Sequence, residues 1–204
     1  MSVTVLLFAA ACSADRVSAP KASAPHFTAA QSKAWDDAKA DGKTLLPGLG
    51  LARQNLLVSP LVQSAIIDNR GGTIELKSLG LKITIPSGAI TGAPIAITVK
   101  ALAGSMVAYE FEPHGTVFAK PLKFEQSLDN TTWEDIKFKG VLSGGYFQDA
   151  GQLNVMGGTA LLNETYPVTV SSKNVSFDIW HFSGYMVATG RTAEPTSVSI
   201  DDNL

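Results

Sequence analysis

Between Gly71 and Lys100 apolar and polar side chains take turns with a period of two. Ile74 and Leu76 share one face, as do Leu81, Ile83 and Ile85, with Lys82 and Thr84 opposite. Ile95, Ile97 and Val99 repeat the pattern against Ala96, Thr98 and Lys100. Alternate residues of an extended chain point to opposite faces, so this stretch predicts three short strands with one buried and one wet side. Such strands suit an antiparallel sandwich. Pro86-Ser87-Gly88 ends the middle strand, because proline lacks a ladder donor and glycine tolerates positive φ. Thr91-Gly92-Ala93-Pro94 makes the next turn, and Ala89 and Ile90 sit between the breakers as an apolar plug.

The alternation continues downstream. Val107, Tyr109 and Phe111 share a face, and Leu122 and Phe124 follow Lys120-Pro121. Val141-Leu142, Tyr146-Phe147, Leu153 to Met156 and Thr159 to Leu162 are short runs separated by glycine pairs, which read as turns. Val175, Phe177 and Ile179 alternate with Ser176 and Asp178. Many short strands at this spacing predict an all-β antiparallel β-sandwich. At 204 residues, one such domain with an extension accounts for the chain.

A hydrophobic content of 45% supplies a core, while charged residues are only 17% and the net charge is −2. With no run of Lys or Arg there is no field for nucleic acid, and no nucleic-acid partner is expected. One cysteine, Cys12, rules out an internal disulfide and a thiolate zinc site. No cofactor motif and no metal-ligand spacing stands out, so neither a cofactor nor a metal is expected.

Val3 to Ala11 is an apolar run far short of the ~20 residues that a spanning helix needs. It fits a secretory signal, and Ala9-Ala10-Ala11-Cys12 resembles a bacterial lipobox. That resemblance implies cleavage before Cys12 and lipid on its thiol. Ser13 to Ser32 is dominated by Ser, Ala and Pro and includes His26, a solvated position. Such a stretch buries too little to offset its ordering entropy and reads as a tether. Gln31 to Gly42 suits one short helix anchored by Trp35, with Asp36 and Asp37 solvated. Leu45 to Pro60 shows no period and is expected to be irregular, with Leu61 to Ile67 a lead-in strand. The expected order is a signal segment (1–11), lipid anchor and disordered linker (12–32), lead-in (33–67), sandwich (68–190) and disordered tail (191–204).

GGTIEL, IPSGAI, ITVKAL and PHGTVFAKPLKF together resemble the zonula occludens/Unc-five (ZU-five) domain. This is a β-sandwich module of ankyrins, netrin receptors and many bacterial envelope proteins. The resemblance spans roughly Asp68 to Thr189. Together with the lipobox-like stretch it implies a lipid-anchored binding or scaffolding module of the cell envelope, facing the periplasm or the cell surface, whose default partner is a protein.

Four other chemistries have candidate residues. Glu110 and Glu112 share a strand face, which suits a solvated surface better than a glycosidase pair, and His114 has only Glu112 nearby. Trp133, Tyr146 and Trp180 are candidate rings for a glycan-binding domain, if they face solvent. His181-Phe182-Ser183 stands at the place where some ZU-five domains cut themselves. The resemblance implies cleavage between Phe182 and Ser183, with Ser183 as nucleophile and His181 as base. The plain structural reading is an imidazole satisfied by a backbone carbonyl where a strand meets a bulge at Gly184.

The anchor is directly testable. Native protein should partition into detergent, and Cys12→Ser should abolish that partitioning, because lipid chains supply the membrane affinity. Phase separation in a nonionic detergent measures both; wild-type protein found wholly in the aqueous phase would remove the anchor.

Overall fold

The computed structural model describes residues 28–133 and 141–190. The expected signal segment, Cys12, most of the linker and the tail lie outside those residues. In chain order, helix α1 (Ala29–Ala40) leads to β1 (Leu46–Leu49), β2 (Ala52–Leu57), β3 (Leu61–Ile67), β4 (Gly72–Leu76) and β5 (Leu81–Ile85). Next come β6 (Ile95–Ala101), β7 (Gly104–Met106), β8 (Ala108–Glu112), β9 (Val117–Ser127) and β10 (Ser143–Phe147). The last six are β11 (Leu153–Asn154), β12 (Thr159–Leu162), β13 (Glu164–Tyr166), β14 (Thr169–Val170), β15 (Asn174–His181) and β16 (Gly184–Ala188). Among the described residues no helix is long and apolar enough to cross a membrane.

The strands form an antiparallel β-sandwich. One sheet has the order β14-β15-β9-β5-β4 and the other β13-β10-β16-β8-β6-β3. The alternating residues do what their period predicts. Ile74, Leu76, Leu81, Ile83, Ile85, Leu122, Phe124, Phe177 and Ile179 face inward from the first sheet. Ile97, Val99, Tyr109, Phe111, Tyr185 and Val187 meet them from the second. Burying one such side chain fully contributes about 1.5–3 kcal/mol, so this interface dominates stability. Ala89 and Ile90 plug the core behind Pro86, where the Ala119 N–H donates to the Ala89 carbonyl at 3.0 Å.

A third layer covers the outer face of the six-stranded sheet. The small sheet β1-β12-β11 brings Ala160, Leu162 and Leu153 onto Ala108, Phe147, Met186 and Ala188. Most of residues 46–57 are therefore strand, β1 and β2, and not an irregular lead-in. β1 pairs residue by residue with β12, from Leu46 opposite Leu162 to Leu49 opposite Thr159. β2 pairs with β7. β1, a short strand without its own period, is thus stabilised by a partner more than a hundred residues away, which no local pattern reveals. The sandwich consequently begins well before residue 68, since β3 also forms the last strand of the six-stranded sheet.

The helix also starts earlier than expected, inside the Ser/Ala/Pro stretch. Thr28 caps it, and Gln31 completes a capping box by reaching back to the Thr28 N–H at 3.1 Å. Gln31 is fully buried, and its amide donates to the carbonyls of Gln152 and Thr159 at 3.2 and 3.0 Å. One polar side chain thus both caps the helix and docks it on the third layer. Asp36 and Asp37 are exposed.

Gly144-Gly145 is not a turn but the middle of β10. A Cβ at Gly144 would lie 2.8 Å from the Phe177 ring, and one at Gly145 would lie 2.8 Å from a Leu162 methyl. These glycines let β10 pass between two packed layers. Gly157-Gly158, by contrast, is a turn.

Truncation on the two faces of β5 should separate cleanly. Ile83→Ala should cost ~2–5 kcal/mol, because Ile83 is fully buried. Thr84→Glu, on the opposite face beside Lys123, should stay within about 0.5 kcal/mol. Urea melts of both variants check this, and equal losses would mean the faces are misassigned.

Candidate functional site

His181-Phe182-Ser183 is the point where the chain leaves one sheet for the other. β15 ends at His181 in the five-stranded sheet, and β16 begins at Gly184 in the six-stranded sheet. The irregular pairing lies upstream of Gly184. Between Ile179 and His181 the partner on β9 jumps from Leu122 to Val117. The extra β9 residues include Pro121, which has no N–H to give to a ladder.

Most backbone groups at this corner are hydrogen-bonded. The Phe182 N–H donates to the Thr116 carbonyl at 2.8 Å, and the Phe182 carbonyl accepts from the Gly115 N–H at 2.9 Å. The Ser183 carbonyl accepts from the Phe111 N–H at 2.9 Å. The Phe182 ring is fully buried, stacked on Phe111 at 5.4 Å and edge-on to Phe118 at 4.7 Å. Gly184 must lack a side chain, because a Cβ there would fall 2.0 Å from the Phe147 ring.

The three candidate residues are adjacent, but their polar groups point to different partners. The buried Ser183 hydroxyl donates to the Phe147 carbonyl at 3.4 Å. The half-buried His181 ring meets the Tyr146 ring edge-on at 4.9 Å. Its Nδ1 lies 3.3 Å from the Tyr185 hydroxyl, which donates to the His181 carbonyl at 2.8 Å. Burial pushes ionisation of the Tyr185 hydroxyl well above the usual tyrosine range, and Tyr166, Tyr146 and Glu164 add to it. That hydroxyl therefore stays a donor. A serine nucleophile needs a base within hydrogen-bond reach, and no hydrogen bond joins His181 to Ser183 among the described residues. What the geometry provides is a well-bonded corner.

The other candidates separate by exposure. Glu110 pairs with Lys100 at 2.8 Å on the outer sheet face, and Glu112 pairs with His114 at 3.0 Å. The described residues contain no cluster of His, Cys, Asp and Glu able to hold a metal. Trp133 and Tyr146 are partly buried against the main core. Trp180 is different: its side chain is 52% exposed. It lines an open groove of about 340 Å³ with Lys123, Tyr166, Thr169, Ser176 and Asp178. Asp178 and Lys123 stand opposite each other on β15 and β9. Trp180 could be found from parity alone, being out of phase with Phe177 and Ile179; Lys123 and Thr169 could not, because they arrive on other strands.

Sequence reading also passed over Arg53, which is 8% exposed and lies 5.5 Å over the Tyr109 ring. Its Nη1 donates to the Leu102 and Met106 carbonyls, and its Nε and Nη2 are buried without a hydrogen-bond partner.

No protein-family model matches this chain, and no curated protein matches it either.

Purified chain held at neutral pH should keep its full mass, by intact mass spectrometry and on a denaturing gel, and Ser183→Ala should change neither. A fragment beginning at Ser183 that disappears in Ser183→Ala would instead make this corner a self-cleaving site.

Proposed function

We propose that this chain is a binding or scaffolding module of the bacterial cell envelope, of ZU-five type, tethered to the membrane through lipid on Cys12 and without turnover chemistry. Its partner is a protein. The observation that carries the reading is the Trp180 groove. A tryptophan left half in solvent on a sheet face, ringed by a lysine, an aspartate and two hydroxyls, has the composition of a contact centre. Trp is enriched where a few residues dominate binding energy, and charges at the margin set orientation more than affinity. The bonding of Ser183 and His181 into the corner supports a module that holds rather than cuts.

A second reading has a specific observation behind it. Of the three rings considered for glycan binding, Trp180 is the exposed one, and the groove's Ser176, Thr169, Asp178 and Lys123 could bond sugar hydroxyls while the indole stacks on a pyranose face.

Retention on native envelope extract distinguishes the readings. Wild type should retain a defined protein, and Trp180→Ala should lower that affinity at least ~30-fold, the size of a hot-spot loss of about 2 kcal/mol. Loss of retention when the extract is treated with protease supports a protein partner. Retention that survives protease and is competed by envelope oligosaccharide supports the glycan. Wild type and Trp180→Ala behaving identically would sink both.

A further inference from the structure

β3 closes one side of the six-stranded sheet, with β6 as its strand neighbour and no other among the described residues. An edge of this kind presents unpaired N–H and C=O groups, and proteins usually blunt it with lysine, proline or a bulge. β3 has none of these. Its sequence is Leu-Val-Gln-Ser-Ala-Ile-Ile, and no charged residue occurs anywhere from Gln54 to Ile67. Its register against β6 is unbroken from Leu61–Ala101 to Ile67–Ile95. Val62 and Ile66, on the outer face, are 53% and 78% exposed.

We propose that β3 pairs antiparallel with β3 of a second copy about a two-fold axis at Ser64, joining the two six-stranded sheets into one. The strand is self-complementary about that residue. The rotation sets Val62 against Ile66 of the other copy and Ser64 against itself on the outer face. On the inner face it sets Leu61 against Ile67 and Gln63 against Ala65. Opposite pairs of β-branched residues are the favourable unit of sheet pairing. Moving the axis one residue either way removes this match, setting Ile66 against Pro60 or Val62 against Asp68. The second copy is thus favoured in one register by the strand's own pattern.

The neighbouring edge of the other sheet fits the same partner. A groove beside β3 is lined by Leu61, Val62 and Ala65 together with Thr73, Glu75 and Lys77 of the β4 region. Glu75 and Lys77 pair with each other there, so this neighbouring edge presents no uncompensated charge to a second copy. Seven residues of strand span ~24 Å, and two sheets with their side chains are ~20 Å thick. The contact therefore buries on the order of 500 Å² per copy and about 1,000 Å² in all, at the lower bound for a specific interface. A reversible dimer with micromolar affinity is expected.

The test uses the full chain carrying Cys12→Ser, so that neither lipid nor the native thiol contributes. Sedimentation equilibrium from low micromolar to several hundred micromolar should show monomer and dimer in exchange. Ile66→Lys replaces both Ile66–Val62 pairs with a lysine set against Val62 and blunts the edge, and should weaken dimerisation at least ~10-fold, with an unchanged circular dichroism spectrum. Ser64→Cys, on the axis, should cross-link copy to copy on oxidation, whereas Thr169→Cys, exposed on the far edge of the other sheet, should not. A monomer at every concentration overturns the proposal, as does a dimer that Ile66→Lys leaves intact. A monomer whose β3 amides resist hydrogen exchange does so too, because another segment of the chain then covers the edge. None of these results touches the Trp180 groove, which is built on β9, β14 and β15 of the other sheet with Tyr166 from β13, the edge opposite β3.

Discussion

β16 has to be buried on both faces, and the rest of the architecture follows from that requirement. All five of its residues are buried. Tyr185 and Val187 point into the core between the two main sheets, while Met186 and Ala188 point into the second core beneath β1 and β12. A strand buried on both sides needs covering layers on both sides, which is why this sandwich carries an extra sheet. β8 meets the same condition, with Tyr109 and Phe111 in one core and Ala108 in the other. Hydrophobic burial is proportional to area removed from water, so two cores sharing the same strands stabilise each other. Damage to β16 would be felt in both.

The corner before β16 is the other half of this constraint. A chain that crosses between sheets must turn without leaving buried backbone groups unpaired, since each costs about 1–3 kcal/mol. Thr116, Gly115 and Phe111 satisfy Phe182 and Ser183 from the neighbouring turn and strand. Phe182 fills the space between sheets where the crossing would otherwise leave a void. Gly184 yields its side-chain volume to Phe147. The arrangement gives His181, Phe182 and Ser183 a structural reason to be the residues they are, apart from any chemistry.

Among the described residues the buried amide and hydroxyl side chains are closely matched, while Arg53 keeps Nε and Nη2 without partners. The Tyr109 hydroxyl donates to Gln126 at 2.7 Å, and the Gln126 amide donates to the Leu79 and Ser127 carbonyls at 2.8 and 2.9 Å. Burial pushes Tyr109 ionisation upward, with Arg53 above its ring pulling the other way. Gln31 does the same service for the helix, and Gln152 binds the Leu161 carbonyl at 2.7 Å across the third layer. Neutral amides serve because each supplies donors and an acceptor together without the desolvation cost of a charge.

The period-two pattern by itself determined the fold class, the inward faces of β4, β5, β6, β8, β9 and β15, and the plug at Ala89 and Ile90. That information is local, because a strand's two faces are set by adjacent residues of one segment. It also left Trp180 out of phase with its buried neighbours, so the exposed ring was legible too. Tertiary structure alone decided the strand character of residues 46–57, since their stabilising partners are β12 and β7. It docked the helix through Gln31, whose amide bonds residues far along the chain, although the Thr28-x-x-Gln31 capping box that sets the helix start is itself a local pattern. It turned Gly144-Gly145 from a turn into a strand squeezed between Phe177 and Leu162. It made His181-Phe182-Ser183 a crossing between sheets, and it brought Lys123 and Thr169 to Trp180. Each of these depends on which distant segments become neighbours, and side-chain periodicity within a segment carries no record of that.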